Sequence, residues 1–225
     1  MTDDTLPTGK EPAFTAPLLS LFVPILIIGC YGIQVWVGPQ VEALLFDNFA
    51  LSPILLQQGQ YGLLLTHLFL HGSWSHALFN AVFCLAFATP VIRAFGKGPG
   101  SAASYLSLFL LCGMVAGLGY CLLNLSSTTP VVGASGAIYG LIGASSRIYG
   151  VRGLSGGVAG LFDRRALSMA AVWCGLNLLT ALLPYVPGGG GMQIAWQAHI
   201  VGYMFGYLIV GLWLHAFHPG FFTRN

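Results

Sequence analysis

The sequence predicts an all-α membrane protein, a bundle of six transmembrane helices with both termini cytoplasmic, and three observations carry that prediction. Of the 225 residues, 56% are hydrophobic and 6% are charged, and the mean hydropathy is +0.80, which is more apolar surface than one water-soluble globule can bury. Six stretches approach or reach the roughly 20 apolar residues that a helix needs to cross a hydrocarbon core. Once these stretches are threaded through a bilayer, every Lys and Arg falls on one side. A closed β-barrel also satisfies the backbone in lipid, but no segment alternates with period two.

The elements follow in order. Residues 1–16 form a polar tail without the basic start or cleavage site of a secretory signal, so the first segment, 17–37, is expected to stay as a signal anchor. An outer loop, 38–73, then carries Glu42 and Asp47 but no Lys or Arg. The second segment, 75–95, connects through Arg93 and Lys97 to the third, 102–123. The fourth, 133–149, and the fifth, 166–183, are joined by a connection holding Arg147, Arg152, Arg164 and Arg165. The sixth, 195–217, leads to a short tail, 218–225. Lys10 and Arg224 lie on the tails, so with a cytoplasmic N-terminus all eight basic residues are inside, as the positive-inside rule requires. Residues 17–217 read as one membrane domain, with no second domain.

Composition also excludes several partners. Cys30, Cys84, Cys112, Cys121 and Cys174 all fall within predicted helices, where a thiol is a small apolar filler, so no disulfide framework is expected. No basic patch with interleaved aromatics suggests nucleic acid; the expected environment is a lipid bilayer. The 31 glycines recur at helical spacing. Gly113 with Gly117, Gly136 with Gly140, and Gly202 with Gly206 are Gly-x-x-x-Gly pairs, which let membrane helices approach backbone to backbone.

Polar residues inside membrane segments are costly and warrant a functional reading. The second, fourth and sixth segments run in the same direction, and near the outer end of each stands a polar group: His76 and Asn80, Ser135, and His199. At 1.5 Å per residue these lie at one depth. In Gly133-Ala134-Ser135-Gly136 the glycines clear space around a hydroxyl, and the helix start supplies unpaired N–H groups for a developing oxyanion. Contact between the fourth and sixth helices through Gly136, Gly140, Gly202 and Gly206 brings His199 to Ser135. A serine hydroxyl needs a base to take its proton, and histidine titrates near neutrality. No carboxylate is available at this depth. Tyr139, one turn below Ser135, is expected to pack on the His199 ring and set its angle, giving a dyad and not a triad. His76 and Asn80, four residues apart, share a helix face and can donate to the oxyanion with the Ser135 N–H.

Thr66-His67 through His71, Gly72-Ser73, His76 and Asn80, then Gly133-x-Ser135-Gly136-x-x-Tyr139-Gly140, then Ala198-His199-x-x-Gly202, resemble the rhomboid intramembrane proteases over most of the chain. The resemblance implies a serine endopeptidase with Ser135 as nucleophile, His199 as general base, and His76, Asn80 and the Ser135 backbone as oxyanion hole. Gly133, Gly136, Tyr139 and Gly202 are supporting residues. It implies no cofactor and no metal, and substrates that are single-span transmembrane proteins cut at small residues near the lipid boundary. The expected location is a bacterial inner membrane, with the site toward the outer side. One departure stands out: many members carry a Trp-Arg pair before the Thr-His, where this chain has Gly62-Leu63. His67 and His71 read as loop-bracing hydrogen bonders, and His215 and His218 as interfacial. The loop 185–197, with its glycine run 188–191, is expected to be a mobile cap, with Met192 and Trp196 as cap or interface residues.

Three other classes fit the sequence less well. An inactive relative that escorts membrane clients usually lacks the serine or the histidine, and both are present. A metal or haem protein would use His67, His71, His76 and His199, but no Cys or carboxylate ligand is near them. A transporter would place polar groups at the midplane of broken helices with an inverted repeat, and none is evident.

Overall fold

Why the apolar stretches become helices and where each one stops can be followed in the computed structural model, which describes residues 16–149, 157–182 and 194–223. A 3-10 turn, Leu18–Leu21, leads into α1 (Phe22–Trp36). Gly38, at φ 86°, turns the chain, and Pro39 opens α2 (Pro39–Phe49), since proline's fixed φ suits a first helical turn. Short helices α3 (Pro53–Gln57) and α4 (Leu63–Thr66) follow, with a 3-10 turn His67–Phe69. The expected loop 38–73 is therefore largely helical. The Ser73 hydroxyl accepts the His76 N–H at 3.1 Å and starts α5 (Trp74–Phe95). Pro99 opens α6 (Pro99–Leu123). Next come α7 (Ser135–Arg147), α8 (Arg164–Ala181), capped by Asp163 on the Ala166 N–H at 3.0 Å, and α9 (Trp196–Phe217).

Each of the six expected segments coincides with a helix, but they differ in reach. Among the described residues, four are long and apolar enough to cross a membrane: Leu18–Trp36, α5, α6 and α9. The fourth is shorter than expected. Helix α7 has 13 residues, about 20 Å at 1.5 Å per residue, because at Ile148 the chain turns into β1 (Ile148–Tyr149), which pairs antiparallel with β2 (Gly157–Val158). Arg147, expected on the connection, is instead buried. Its guanidinium donates to the Ala159 carbonyl at 2.8 Å and the Tyr207 carbonyl at 2.7 Å, and lies 5.3 Å from the Tyr207 ring centroid. A charge removed from water needs such partners.

Helix α7 is the centre of the bundle and packs against α5, α6, α8 and α9. Ten of its residues are buried, whereas α8 buries only Ala166 and Asn177 along 18 residues. The core is built from Tyr105, Leu108, Leu141, Ile142, Tyr203 and Leu214. Large apolar side chains such as Ile25, Phe79, Val82, Leu179 and Leu212 face outward, where lipid solvates them.

Candidate active site

Ser135 is the first residue of α7, and the left-handed Gly133, at φ 110°, bends the chain into it. No side chain caps this helix, so its first N–H groups remain available. Glycines let helix α9 approach α7 backbone to backbone. A Cβ on Gly202 would overlap the Gly136 carbonyl, one on Gly206 the Gly140 carbonyl, and one on Gly143 the Tyr203 carbonyl. This backbone-to-backbone contact sets the spacing between Ser135 and His199. The Ser135 Oγ lies 2.7 Å from the His199 Nε2. Tyr139 stacks on the His199 imidazole with centroids 4.3 Å apart and planes 7° from parallel.

His76 and Asn80 approach from α5. A Cβ on Gly133 would lie 2.8 Å from His76 Nε2 and 3.7 Å from Asn80 Nδ2, so both side chains converge on the residue two before Ser135. The His76 Nδ1 accepts the Gly72 N–H at 3.5 Å, which leaves Nε2 to carry a proton. The Asn80 amide donates one hydrogen to the His76 carbonyl at 3.0 Å and has a second to offer. His76, Asn80, Ser135, Tyr139 and His199 all line one cavity of about 440 Å³. Its remaining wall is mostly apolar, with Phe79 and Phe83 from α5 and Trp173 and Leu176 from α8.

Two residues outside the sequence-based set belong to this arrangement. Asn177 of α8 places its Oδ1 2.9 Å from His199 Nδ1 and donates through Nδ2 to the Trp196 carbonyl at 2.7 Å. A third group therefore meets the imidazole, and it is an amide where a dyad was expected. It was discoverable, since Asn177 is the single Asn of the fifth apolar segment, 166–183, and a lone amide in lipid must find partners. Gln34 of α1 is the second. Its amide donates to Glu42 Oε1 at 2.9 Å and to the His71 carbonyl at 2.7 Å, and accepts the His71 N–H at 3.1 Å. This clamp joins α1, α2 and the approach to α5 in a loop that lacks the Trp-Arg pair.

The loop reaches the serine through His67. Its ring donates from Nδ1 to the Leu63 carbonyl at 2.8 Å, and its own carbonyl accepts the Gly133 N–H at 2.8 Å. Leu51 and Val131 add a two-way backbone pair at 3.1 and 2.8 Å. His71 braces through its backbone only, because its buried ring nitrogens make no hydrogen bond. Burial pushes the His67 imidazole down to about 4, against the opposing pull of the Leu63 carbonyl. Burial, then the neighbouring His76, pushes His71 down to about 3. At the far end of the bundle, His218 stacks on Phe95 at 4.4 Å and bonds Ser104, and His215 bonds the Gly211 carbonyl.

Among the described residues no three His, Cys, Asp or Glu side chains converge as a metal set. The glycine run 188–191 and Met192 lie outside the described residues, so the cap expectation falls there too. Trp196 opens α9 and contributes its carbonyl to Asn177. No curated protein matches the chain. A family model described as the Rhomboid domain matches residues 58–216.

Proposed function

The chain belongs to the rhomboid family of intramembrane proteases, and on that premise we propose that it is a serine endopeptidase whose nucleophile is Ser135 and whose general base is His199. The observation that carries this reading is the 2.7 Å approach of Ser135 Oγ to His199 Nε2 inside a cavity that also holds His76 and Asn80. As Oγ attacks the scissile carbonyl carbon, its proton passes to Nε2. The carbonyl oxygen becomes an oxyanion, which accepts hydrogen bonds from His76 Nε2–H, Asn80 Nδ2–H and the Ser135 N–H. Collapse breaks the C–N bond, and the amine leaves with the proton that His199 returns. Water then attacks the acyl-enzyme by the same route and regenerates the serine hydroxyl.

The remaining groups support this chemistry. Tyr139 limits rotation of the imidazole, and Gly133 and Gly136 keep side chains away from the approaching substrate backbone. Gly202 holds α9 close enough for the proton transfer. The mostly apolar cavity suits a segment that leaves lipid and unwinds, which favours single-span transmembrane substrates with small residues at the cleavage site. The one-sided distribution of Lys and Arg supports six crossings with both ends cytoplasmic, cleavage near the outer face and residence in a bacterial inner membrane. No cofactor is required.

The test is labelling of the detergent-solubilised full chain with a fluorophosphonate serine-hydrolase probe. Wild type is expected to label, and Ser135→Ala and His199→Ala to lose labelling by at least ~100-fold, the lower range of general-base contributions. Equal labelling of all three proteins, or none of wild type in several lipids, would sink the reading.

A further inference from the structure

We propose that Asn177 is a positioning residue that selects the tautomer of His199, so that the working unit is Ser135–His199–Asn177 and depends on the placement of α8. The inference rests on the serine-protease reading above and deepens it.

The hydrogen-bond directions carry it. The Trp196 carbonyl is only an acceptor, so the Asn177 atom 2.7 Å from it is the NH2 nitrogen. The amide orientation is thereby decided, and the atom 2.9 Å from His199 Nδ1 is the carbonyl oxygen Oδ1. That oxygen has no hydrogen to give, so in the neutral ring Nδ1 must carry the proton. Nε2 then holds the lone pair, and it is Nε2 that stands 2.7 Å from the Ser135 hydroxyl. Without an acceptor at Nδ1, the imidazole is free to take the other tautomer, in which Nε2–H faces the serine and cannot accept its proton. An orienting partner of this kind is the usual companion of a histidine base.

The residue type fits its surroundings. Asn177 is 1% exposed on a helix that otherwise buries only Ala166, and an unpaired carboxylate there would be severely penalised. An amide supplies the acceptor without the charge, and its NH2 anchors it to the first residue of α9. Tyr139 restrains the tilt of the ring by stacking, whereas Asn177 decides which nitrogen is protonated. The two restraints are different and come from different helices. Helix α8 holds this acceptor with little buried surface of its own, so a displacement of α8 away from α9 removes the acceptor and idles the base while leaving the Ser135–His199 distance to α7 and α9.

The full-length chain in detergent micelles tests this with Asn177→Leu, which fills the space without an acceptor, and Asn177→Asp, which restores the oxygen. The readouts are fluorophosphonate labelling rate at pH 7.5, melting temperature, and the ¹⁵N resonances of histidine-labelled protein. The leucine variant is expected to melt within a few degrees of wild type, to label at least ~10-fold more slowly, and to lose the His199 Nδ1–H signal. The aspartate variant, kept protonated by burial so that its O–H donates to the Trp196 carbonyl in place of the NH2 while its carbonyl oxygen accepts from Nδ1–H, is expected to recover most of the rate together with that signal. Unchanged labelling and an unchanged Nδ1–H signal in Asn177→Leu overturn the inference. So does a rate loss that tracks melting temperature in both variants with no recovery by Asp. Wild type that labels no better than Ser135→Ala overturns the protease reading itself, a separate result.

Discussion

The α7–α9 contact and the α5–α8 boundary flank the same cavity but are made of different materials. On the first side, Gly136, Gly140, Gly143, Gly202 and Gly206 bring two backbones together with no side chain between them. On the second, Trp173 meets Phe83 and Phe87 edge to face at 6.1 and 5.2 Å, and part of the boundary is open space. A glycine contact has no rotamers and admits no intermediate spacing, so it holds Ser135 and His199 at hydrogen-bonding distance. Aromatic edges slide and re-pack, and lipid tails can replace them at little cost because they are equally apolar. Fixed geometry sits on one wall and adaptability on the other.

The contrast is open to attack at several points. The largest effect is expected for Gly206→Leu, whose side chain would meet the Gly140 backbone, which cannot yield. Loss of at least ~4 kcal/mol, seen as loss of a cooperative melt and of probe labelling, is expected. A folded, labelling Gly206→Leu protein would break the comparison.

Acidification is the next test, because the loop behind Ser135 belongs to the rigid wall. His67 and His71 are neutral in the fold, with values lowered to about 4 and about 3 from an ordinary 6.5. Their contribution is complete above pH 6.5 and is lost as pH falls toward those lowered values, since the unfolded loop takes up protons first. At about 1.4 kcal/mol per unit, each costs about 2 kcal/mol by pH 5. Melting curves at pH 7.5 and 5 that coincide would show the loop to be uncoupled from the bundle.

Gln34→Ala removes three hydrogen bonds and leaves the His71 backbone without partners, which is expected to cost about 1–3 kcal/mol in the same assay. The smallest stability effect is expected on the adaptable wall. Trp173→Ala should cost about 1 kcal/mol or less, the worth of its aromatic contacts, while accelerating labelling by widening the cavity. A destabilisation as large as that of Gly206→Leu would show that both walls are rigid.

Much of this was legible in the sequence because lipid makes its rules strict. Apolar length put the six segments within a few residues of six helices, and the cost of polarity in lipid drew attention to His76, Asn80, Ser135 and His199, which share one cavity. The Gly-x-x-x-Gly spacing foretold the α7–α9 contact. The family resemblance is matched over residues 58–216. The shortening of α7 was not legible. The inward turn of Arg147 depends on the carbonyls of Ala159 and Tyr207, 12 and 60 residues away. Gln34 escaped notice for the same reason, as its partner His71 is 37 residues distant.

What the sequence alone determined is therefore the set of helices, their apolar faces and the polar groups that lipid obliges to find partners, since each of these follows from local composition and spacing. Which partner each group finds was decided by the tertiary structure. Pairing Asn177 with His199 requires α8 to be rotated and raised so that one amide reaches both the Trp196 carbonyl and the imidazole, and no periodicity in α8 encodes that rotation. Hydrogen bonds are directional over about 3 Å, whereas apolar patterning is satisfied by many arrangements of the same helices.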